Sequence, residues 1–386
     1  MKAIVFIFSF AVVISTGTFL SIEFNDFVNL LFVSLALVVI FLSLINNNVR
    51  ERNDYRMSIW IVFFMFVLLM SMLSAVIYHN SSDIVVNQLF FLCKIALFFS
   101  VTWLLGDQRK LIIEYISLII LNLSYVSLIL LLLRYVFQSD FLPLFQVGDV
   151  KTSFLSTYYG TDLGLIGVVR NSSIFYEPGL YSVMLSFAFS YYFMKEKFST
   201  KCKIIYISAI STLSPVGFIL MNYLLMIEYW KKSYLLRTLV FLLGFLVIWF
   251  VTEFLYLKTE SLSFAYRIED IFISFRVFLD NIILGVGLFN DDVVRNYFQT
   301  RYDSMRASSN GLLILYYQLG VIGATLYFFF LLRALKFYFS RNYILSFVFL
   351  TSVMIFQPIQ YSNFFILLFV LGHFTNHEKK HSFNCS

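Results

Sequence analysis

Charged residues are scarce in this chain. Asp, Glu, Lys and Arg make up 13% of its 386 residues, whereas hydrophobic residues make up 60%. Soluble domains carry roughly 25% charged residues, because most of their surface faces water. A chain this apolar needs lipid around much of its surface, so the composition excludes an ordinary soluble enzyme and predicts a membrane protein.

Cysteine and histidine are also rare, and their shortage excludes some kinds of site. The three cysteines show neither zinc-ligand spacing nor an evident disulfide pair. The four histidines are His79, His373, His377 and His381. No Asp-x-Asp cluster lies in the long polar segments, where Asp291 and Asp292 are the only adjacent acids. We therefore expect no metal and no cofactor.

Apolar segments follow one another along the chain, and each is interpreted as a membrane-spanning helix, although the seventh and eighth are short and abut at Ser214-Pro215. The sequence predicts about twelve of them, at 3–22, 27–45, 58–78, 87–105, 112–137, 176–194, 204–214, 215–230, 234–252, 309–332, 343–357 and 361–374. The four prolines lie in a loop, in the first turn of a span or at breaks between spans, where proline costs little. We predict an all-α polytopic membrane protein with one membrane domain over residues 1–386.

Lysine and arginine cluster in the loops on one side of these spans. About 18 of the 28 basic residues lie there, and the positive-inside rule makes that side cytoplasmic. Both termini are then predicted to lie in the cytoplasm. This placement accounts for the net charge of +6 without a nucleic-acid partner.

Only two loops on the opposite side are long, at about 138–175 and 253–308. They carry most of the basic residues that break the inside rule, and most of these are arginines. Arginine suits phosphate because its planar fork donates two hydrogen bonds at once. The candidates for binding an anion are Arg170, Arg267, Arg276, Arg295, Arg301 and Arg306. The alternative is a solvated surface on which these arginines balance nearby acids.

Glu177 stands just before the sixth predicted span, which opens with Pro178 and Gly179. Proline suits the first helical turn, and a carboxylate beside that turn lies near the positive end of the helix dipole. Two interpretations stay open: a reactive carboxylate, or an acid that only caps the helix.

The second long loop contains an amphipathic segment at 263–279. Its apolar residues recur at helical spacing: Phe264, Ile268, Ile271, Phe272, Phe275 and Leu279. This pattern predicts a helix that lies in the outer membrane–water interface.

Four elements along the chain together resemble the O-antigen polymerase (Wzy-type) family, within the O-antigen polymerase and ligase superfamily. They are the Arg-Asn-Ser-Ser-x-Phe-x-Glu-Pro-Gly run at 170–179, Thr-x-Ser-x-x-Gly at 212–217, Gly-Val-Gly at 285–287, and an Asn followed by Leu-Gly-x-x-Gly at 310–323. Arg276 and Gly287 are separated by ten residues and also match an Arg-x10-Gly element of the polymerases. The positions taken as structural parts of these motifs are Gly179, Ser214, Gly217, Gly287, Asn310 and Gly320.

The resemblance implies a C-type glycosyltransferase architecture in the bacterial inner membrane, with both long loops in the periplasm. It implies that undecaprenyl-pyrophosphate-linked oligosaccharide units are joined and undecaprenyl pyrophosphate is released, without cofactor or metal. A chain-length regulator is an expected partner. The arginines would hold the leaving pyrophosphate, and a carboxylate would serve as base. The candidates for the base are Glu177, Asp291, Asp292 and Asp303.

Two other functions stay open. O-antigen ligases, to which the resemblance also extends, typically have a histidine immediately before the Asn of the later motif, where this chain has Ser309. A lipid-linked oligosaccharide flippase or other transporter would place charges inside its spans. The main candidates for such charges are Lys94, Glu114 and Arg134.

Overall fold

The computed structural model describes residues 2–18, 20–21, 24–45, 66, 73, 77, 82–137, 144–147, 150–153, 157–159, 170–214, 217, 221–226, 238, 262–302, 308–338 and 343–374. The helices are α1 (Lys2–Ile14), α2 (Asn25–Ile45), α3 (Ser82–Leu105), α4 (Lys110–Phe137), α5 (Pro178–Glu196), α6 (Thr200–Ser211), α7 (Leu262–Asp280), α8 (Asp292–Tyr302), α9 (Gly311–Tyr338), α10 (Tyr343–Phe356) and α11 (Asn363–Phe374). A 3-10 turn, Gly106–Arg109, joins α3 to α4.

The chain is a helical, membrane-embedded protein. Among the described residues, four helices are long and apolar enough to cross a membrane: α2, α3, α4 and the part of α9 from Gly311 to Lys336. The spans predicted at 27–45, 87–105, 112–137 and 309–332 are thereby confirmed as long apolar helices. Apart from residues 66, 73, 77 and 238, the predicted spans 58–78 and 234–252 lie outside the described residues, as does most of 215–230. The total of about twelve therefore stays a prediction.

The first predicted span, 3–22, is wrong in its extent, because α1 ends at Ile14. A Ser-Thr-Gly-Thr run follows, and its hydroxyls bond back to the last turn of the helix. Ser15 Oγ donates to the Ala11 carbonyl at 2.7 Å, and Thr16 Oγ1 donates to the Val12 carbonyl at 2.6 Å. Gly17 then takes a φ of 61°, which ends the helix in a turn.

Contacts within the structure group the chain into two compact units, Met1–Phe32 with Lys110–Tyr266, and Val33–Arg109 with Arg267–Ser386. In the first unit, α4 packs against α1, α5 and α6. Residues 180–193 of α5 are buried on every side. Gly217 permits a close approach to α5, because a Cβ there would lie 2.2 Å from Ser182 Oγ, and that oxygen accepts the Gly217 N–H at 2.9 Å. Gly217 therefore has a packing role, whereas Ser214 makes a local turn bond from its N–H to Thr212 Oγ1 at 3.1 Å.

In the second unit, α9 packs against α10 and α11, and α11 also packs against α3. Residues 363–372 of α11 are fully buried. Gly372 allows α11 to touch the α9 backbone, because a Cβ there would lie 2.0 Å from the Phe330 carbonyl oxygen. The buried Arg109 stacks over the Phe374 ring at the end of α11, with 4.8 Å between guanidinium carbon and ring centroid.

Both predicted long loops contain regular structure. The first holds an antiparallel sheet of three short strands, β1 (Leu144–Val147), β2 (Val150–Ser153) and β3 (Thr157–Tyr159), in the order β1-β2-β3. The second holds α7 and α8. The helix predicted at 263–279 is confirmed as α7.

Candidate functional site

Asn171 anchors the segment that leads into α5. The side chain is fully buried, and Nδ2 donates to Ser127 Oγ at 3.1 Å and to Ser211 Oγ at 2.9 Å. Its backbone N–H donates to the Ser211 carbonyl at 2.9 Å, and Oδ1 accepts the Ser173 N–H at 3.1 Å. One amide thus joins the segment to α4 and α6. Buried polar networks of this kind rigidify a site when their groups are satisfied.

Tyr181, in the first turns of α5, extends the same network. Its hydroxyl lies 3.4 Å from Ser124 Oγ, 3.2 Å from Ser127 Oγ and 3.1 Å from Ser208 Oγ. Its ring stacks on Phe175, with centroids 5.5 Å apart. The start of α5 is therefore held by polar contacts to both α4 and α6.

Arg170 lies at the C-terminal end of α6. Its Nε donates to the Thr212 carbonyl at 3.0 Å, and Nη2 lies 3.4 Å from the Leu213 carbonyl. These bonds satisfy carbonyls that the end of a helix leaves without intrahelical partners. The Arg170 side chain, which the sequence predicts as a phosphate ligand, thus caps the C-terminal end of α6. These hydrogen bonds to α6 fix its position.

Glu177 is the N-cap residue of α5, with φ −123° and ψ 140°, yet its carboxylate makes no side-chain cap hydrogen bond. Glu177 therefore occupies the cap position without a side-chain cap bond, and both interpretations, a reactive carboxylate and a capping acid, stay open. The side chain is exposed, whereas Pro178 is buried and Gly179 is half-buried in the first turn. A carboxylate is thus presented to its surroundings at the positive end of an otherwise buried helix.

The second unit contains a break in α9 at Gly320, where φ is 65° and ψ is 179°. That conformation is essentially restricted to glycine. Residues 282–287 bond to the backbone groups on both sides of the break. The bonds run from the Val286 N–H to the Tyr317 carbonyl (2.7 Å), from the Gly287 N–H to the Gln318 carbonyl (3.0 Å) and from the Val321 N–H to the Ile282 carbonyl (2.7 Å).

These three backbone bonds, which we call the interlock, bring Asp291 against two side chains of α9. Asp291 Oδ1 accepts the Tyr317 hydroxyl at 2.5 Å and Gln318 Nε2 at 2.9 Å. Gln318 is 1% exposed, and its Oε1 accepts the Tyr361 hydroxyl at 2.8 Å. The tyrosine orients the amide so that its N–H faces the carboxylate. Asp291, Tyr317, Gln318 and Tyr361 form what we call the Asp291 cluster.

A third segment, residues 357–362, connects α10 to α11 without helical structure. It contacts α9 near the Asp291 cluster through Gln360 and Tyr361. The Gln360 carbonyl accepts the Tyr327 hydroxyl at 2.5 Å. From α3, Gln88 Nε2 donates to the Leu288 carbonyl at 2.8 Å. Polar side chains thus satisfy backbone groups that no helix satisfies, as irregular backbone inside a membrane protein requires.

The other predicted acids and arginines of the second long loop either make contacts of their own or lie outside the described residues. Asp292 and Arg295 are exposed and pair at 3.6 Å on α8. The exposed Arg276 lies over the Tyr297 ring, at 5.8 Å from guanidinium carbon to centroid. The side chains of Arg267 and Arg301, and all of Asp303 and Arg306, lie outside the described residues. Over the part of the chain that the structure describes, no three His, Cys, Asp or Glu residues form a metal-binding group.

Asn310 and Ser309 stand at the start of α9. Asn310 Oδ1 accepts the Leu313 N–H at 3.0 Å, which is the bond of a helix N-cap. Ser309 donates both its N–H (3.1 Å) and its hydroxyl (2.6 Å) to Oδ2 of Asp270, a residue that is 3% exposed. Ser309 therefore ties the start of α9 to α7.

Sequence reasoning missed Asn171, Tyr317, Gln318 and Tyr361. Gln318 had a usable signal, because an uncharged amide inside an apolar span needs a partner. The other three are common residue types in this chain, and nothing in their local sequence distinguishes them.

A scan against models of known protein families gives no match, and a search of curated proteins finds no relative. Function is therefore inferred from the two clusters around Glu177 and Asp291.

Proposed function

We propose that this chain is an O-antigen polymerase, or a polymerase of a similar surface polysaccharide, in the bacterial inner membrane. It has about twelve spans, with both termini in the cytoplasm, and its site faces the periplasm. A hydroxyl of one lipid-linked unit attacks the sugar carbon that carries pyrophosphate on the growing chain. The new C–O bond replaces the old one, and undecaprenyl pyrophosphate leaves with the electron pair of the broken bond.

The exposed carboxylate of Glu177 is the observation that carries this proposal. A base must accept the proton of the attacking hydroxyl, so its oxygens must be accessible and fixed in place. Glu177 accepts no cap bond and follows a segment held by Asn171. Asp291, Asp292 and Asp303 are the remaining candidates for this role.

Arginines supply the counter-charge for the leaving pyrophosphate. Arg276 and Arg295 expose their guanidinium groups on α7 and α8. Arg170, Arg267, Arg301 and Arg306 complete the proposed set. Charge stabilisation by arginine forks can replace a metal ion in such a reaction, so no cofactor and no metal are required. The partners are the lipid-linked oligosaccharide and a chain-length regulator.

The ligase alternative is disfavoured by the hydrogen bonds of Ser309. A histidine base is absent from that position, and the serine hydroxyl there donates to Asp270 at 2.6 Å. The side chain is thus committed to a contact between helices.

A transporter is the second candidate, and the break in α9 favours it. Broken helices with a carboxylate at the break are typical of transporter binding sites. Asp291 lies beside Gly320 through its bonds to Tyr317 and Gln318. A flippase of lipid-linked oligosaccharides would use this cluster to bind its cargo.

A gel of lipopolysaccharide from a strain that lacks the gene separates these functions. Without the polymerase, single repeat units are still exported and ligated, so we expect core plus one unit and no ladder. Loss of a ligase or of a flippase leaves the core bare. Complementation with the intact gene should restore the ladder, and a bare core in the deletion strain would contradict the proposal.

A further inference from the structure

Two contacts hold α7 alongside the first half of α9. At one end Ser309 donates to Asp270, and at the other the Val321 N–H donates to the Ile282 carbonyl at 2.7 Å. The two contacts are twelve residues apart along each segment, from 309 to 321 in one and from 270 to 282 in the other. The two segments therefore run side by side in the same direction for about 18 Å.

The far end of this pair lies within the length of a membrane span. The span begins at Gly311, and Gly320 lies nine residues further, about 14 Å along the helix axis. Residues 282–287 bond to α9 at that level. The chain then turns back, because Val294 and Phe298 of α8 share a buried core with Ile314. Residues 262–302 thus form a helical hairpin with its tip at Gly320.

The two faces of α7 differ in what covers them. The buried face consists of Asp270, Ile273, Ser274 and Val277. The opposite face is apolar and exposed, and we call it the α7 stripe: Ile268, Ile271, Phe272, Phe275 and Leu279. The exposed Ile282 and Ile283 extend it to the tip, where the neighbouring Val321 and Ile322 of α9 are exposed as well. The stripe is therefore continuous with the outward face of a membrane-spanning helix.

We propose that α7, the turn at 281–291 and α8 form a re-entrant hairpin that enters the bilayer, with the α7 stripe against lipid hydrocarbon. Lipid is the occupant because the stripe continues the exposed apolar face of α9, a helix that is long and apolar enough to cross a membrane. The irregular tip is tolerated at that depth because α9 and Gln88 satisfy its backbone groups. This topology does not depend on the reaction proposed above.

The other edge of α7 is polar and faces α8. Arg276 lies over the Tyr297 ring, and the Tyr297 hydroxyl lies 3.4 Å from Asp280 Oδ2. The exposed pair of Asp292 and Arg295 follows on α8. Charged side chains within the membrane need water or partners. The hairpin therefore presents lipid with one edge, and on the other edge its polar side chains contact one another.

Cysteine labelling tests this arrangement in the full chain. Phe272→Cys and Leu279→Cys place a thiol on the stripe, and Arg295→Cys places one on the polar edge of the same hairpin. The three native cysteines are replaced by serine, and each variant must elute as the parent does in gel filtration. In permeabilised membranes, we expect a charged maleimide to label Arg295→Cys at least about tenfold faster than either stripe variant, because ionic reagents enter hydrocarbon poorly.

A fluorophore at position 272 then identifies what covers the stripe. Lipids brominated on their acyl chains should quench it if hydrocarbon is in contact. Equal maleimide labelling of stripe and polar edge would show that the hairpin lies in water and would overturn the proposal. Protection without quenching, with disulfide-linked dimers on oxidation of Phe272→Cys, would assign the stripe to a second copy and would equally overturn it.

Discussion

Replacing Gly320 by alanine should leave little folded protein. The residue holds a φ of +65°, and a Cβ there would lie 2.2 Å from the Ile283 carbonyl oxygen. Both the backbone strain and the clash oppose the native structure, at a combined cost of about 2–5 kcal/mol. The clashing atom is backbone and is held by the interlock with α9, so rotation of a side chain cannot relieve it. Thermal unfolding in detergent would measure the loss.

Gly323→Ala is the matched control for this change. It lies three residues further along the same helix, and a Cβ there would meet the Leu319 Cβ at 3.0 Å rather than a backbone oxygen. Its φ is not in the left-handed region. We expect a clearly smaller shift in unfolding temperature. A Gly320→Ala protein as stable as the parent would show that the break in α9 is not a fixed part of the fold.

Glu177→Gln should abolish polymer formation while leaving the fold intact. Glutamine keeps the size of the side chain but cannot accept the proton of the attacking hydroxyl, and loss of a general base typically costs a factor of about 10²–10⁴ in rate. Stability should change little, because the carboxylate is exposed and makes no cap hydrogen bond. The rate of chain growth in proteoliposomes and the unfolding temperature of the same sample measure the two effects.

Glu114→Gln supplies the control. Glu114 pairs with Lys195 at 3.4 Å, in the last turn of α5. Glu177 lies at the other end of that helix, about 27 Å away along its axis. The exposed pair contributes at most about 1 kcal/mol, so polymer formation should continue in this variant. Equal loss in both variants, or normal polymer from Glu177→Gln, would remove Glu177 from the reaction.

The long apolar helices were predictable from the sequence, because lipid requires a continuous apolar run of fixed length. This physical requirement located α2, α3 and α4. The prediction failed at the end of α1, where the hydroxyls of Ser15, Thr16 and Thr18 bond to carbonyls of the helix and Gly17 turns the chain. The glycine motifs were also visible, but their partners were not. The bonds between 282–287 and 317–321 join residues more than 30 positions apart, and no local pattern encodes that pairing.

The candidate site was predictable only in part for the same reason. Glu177 was recognised from its position before Pro178, whereas its exposure depends on the way Asn171 holds the preceding segment. Asp291 was recognised as an acid, but the Asp291 cluster draws its members from α9 and from the segment before α11. Tertiary packing alone brings them together.

The most direct measurement uses the purified chain in proteoliposomes with one synthetic undecaprenyl-pyrophosphate-linked repeat unit and a chelator. We expect a ladder of polymers on the lipid carrier, with one undecaprenyl pyrophosphate released for each bond formed. Absence of any new glycosidic bond, together with movement of the intact lipid-linked unit from one leaflet to the other, would contradict it and identify a transporter.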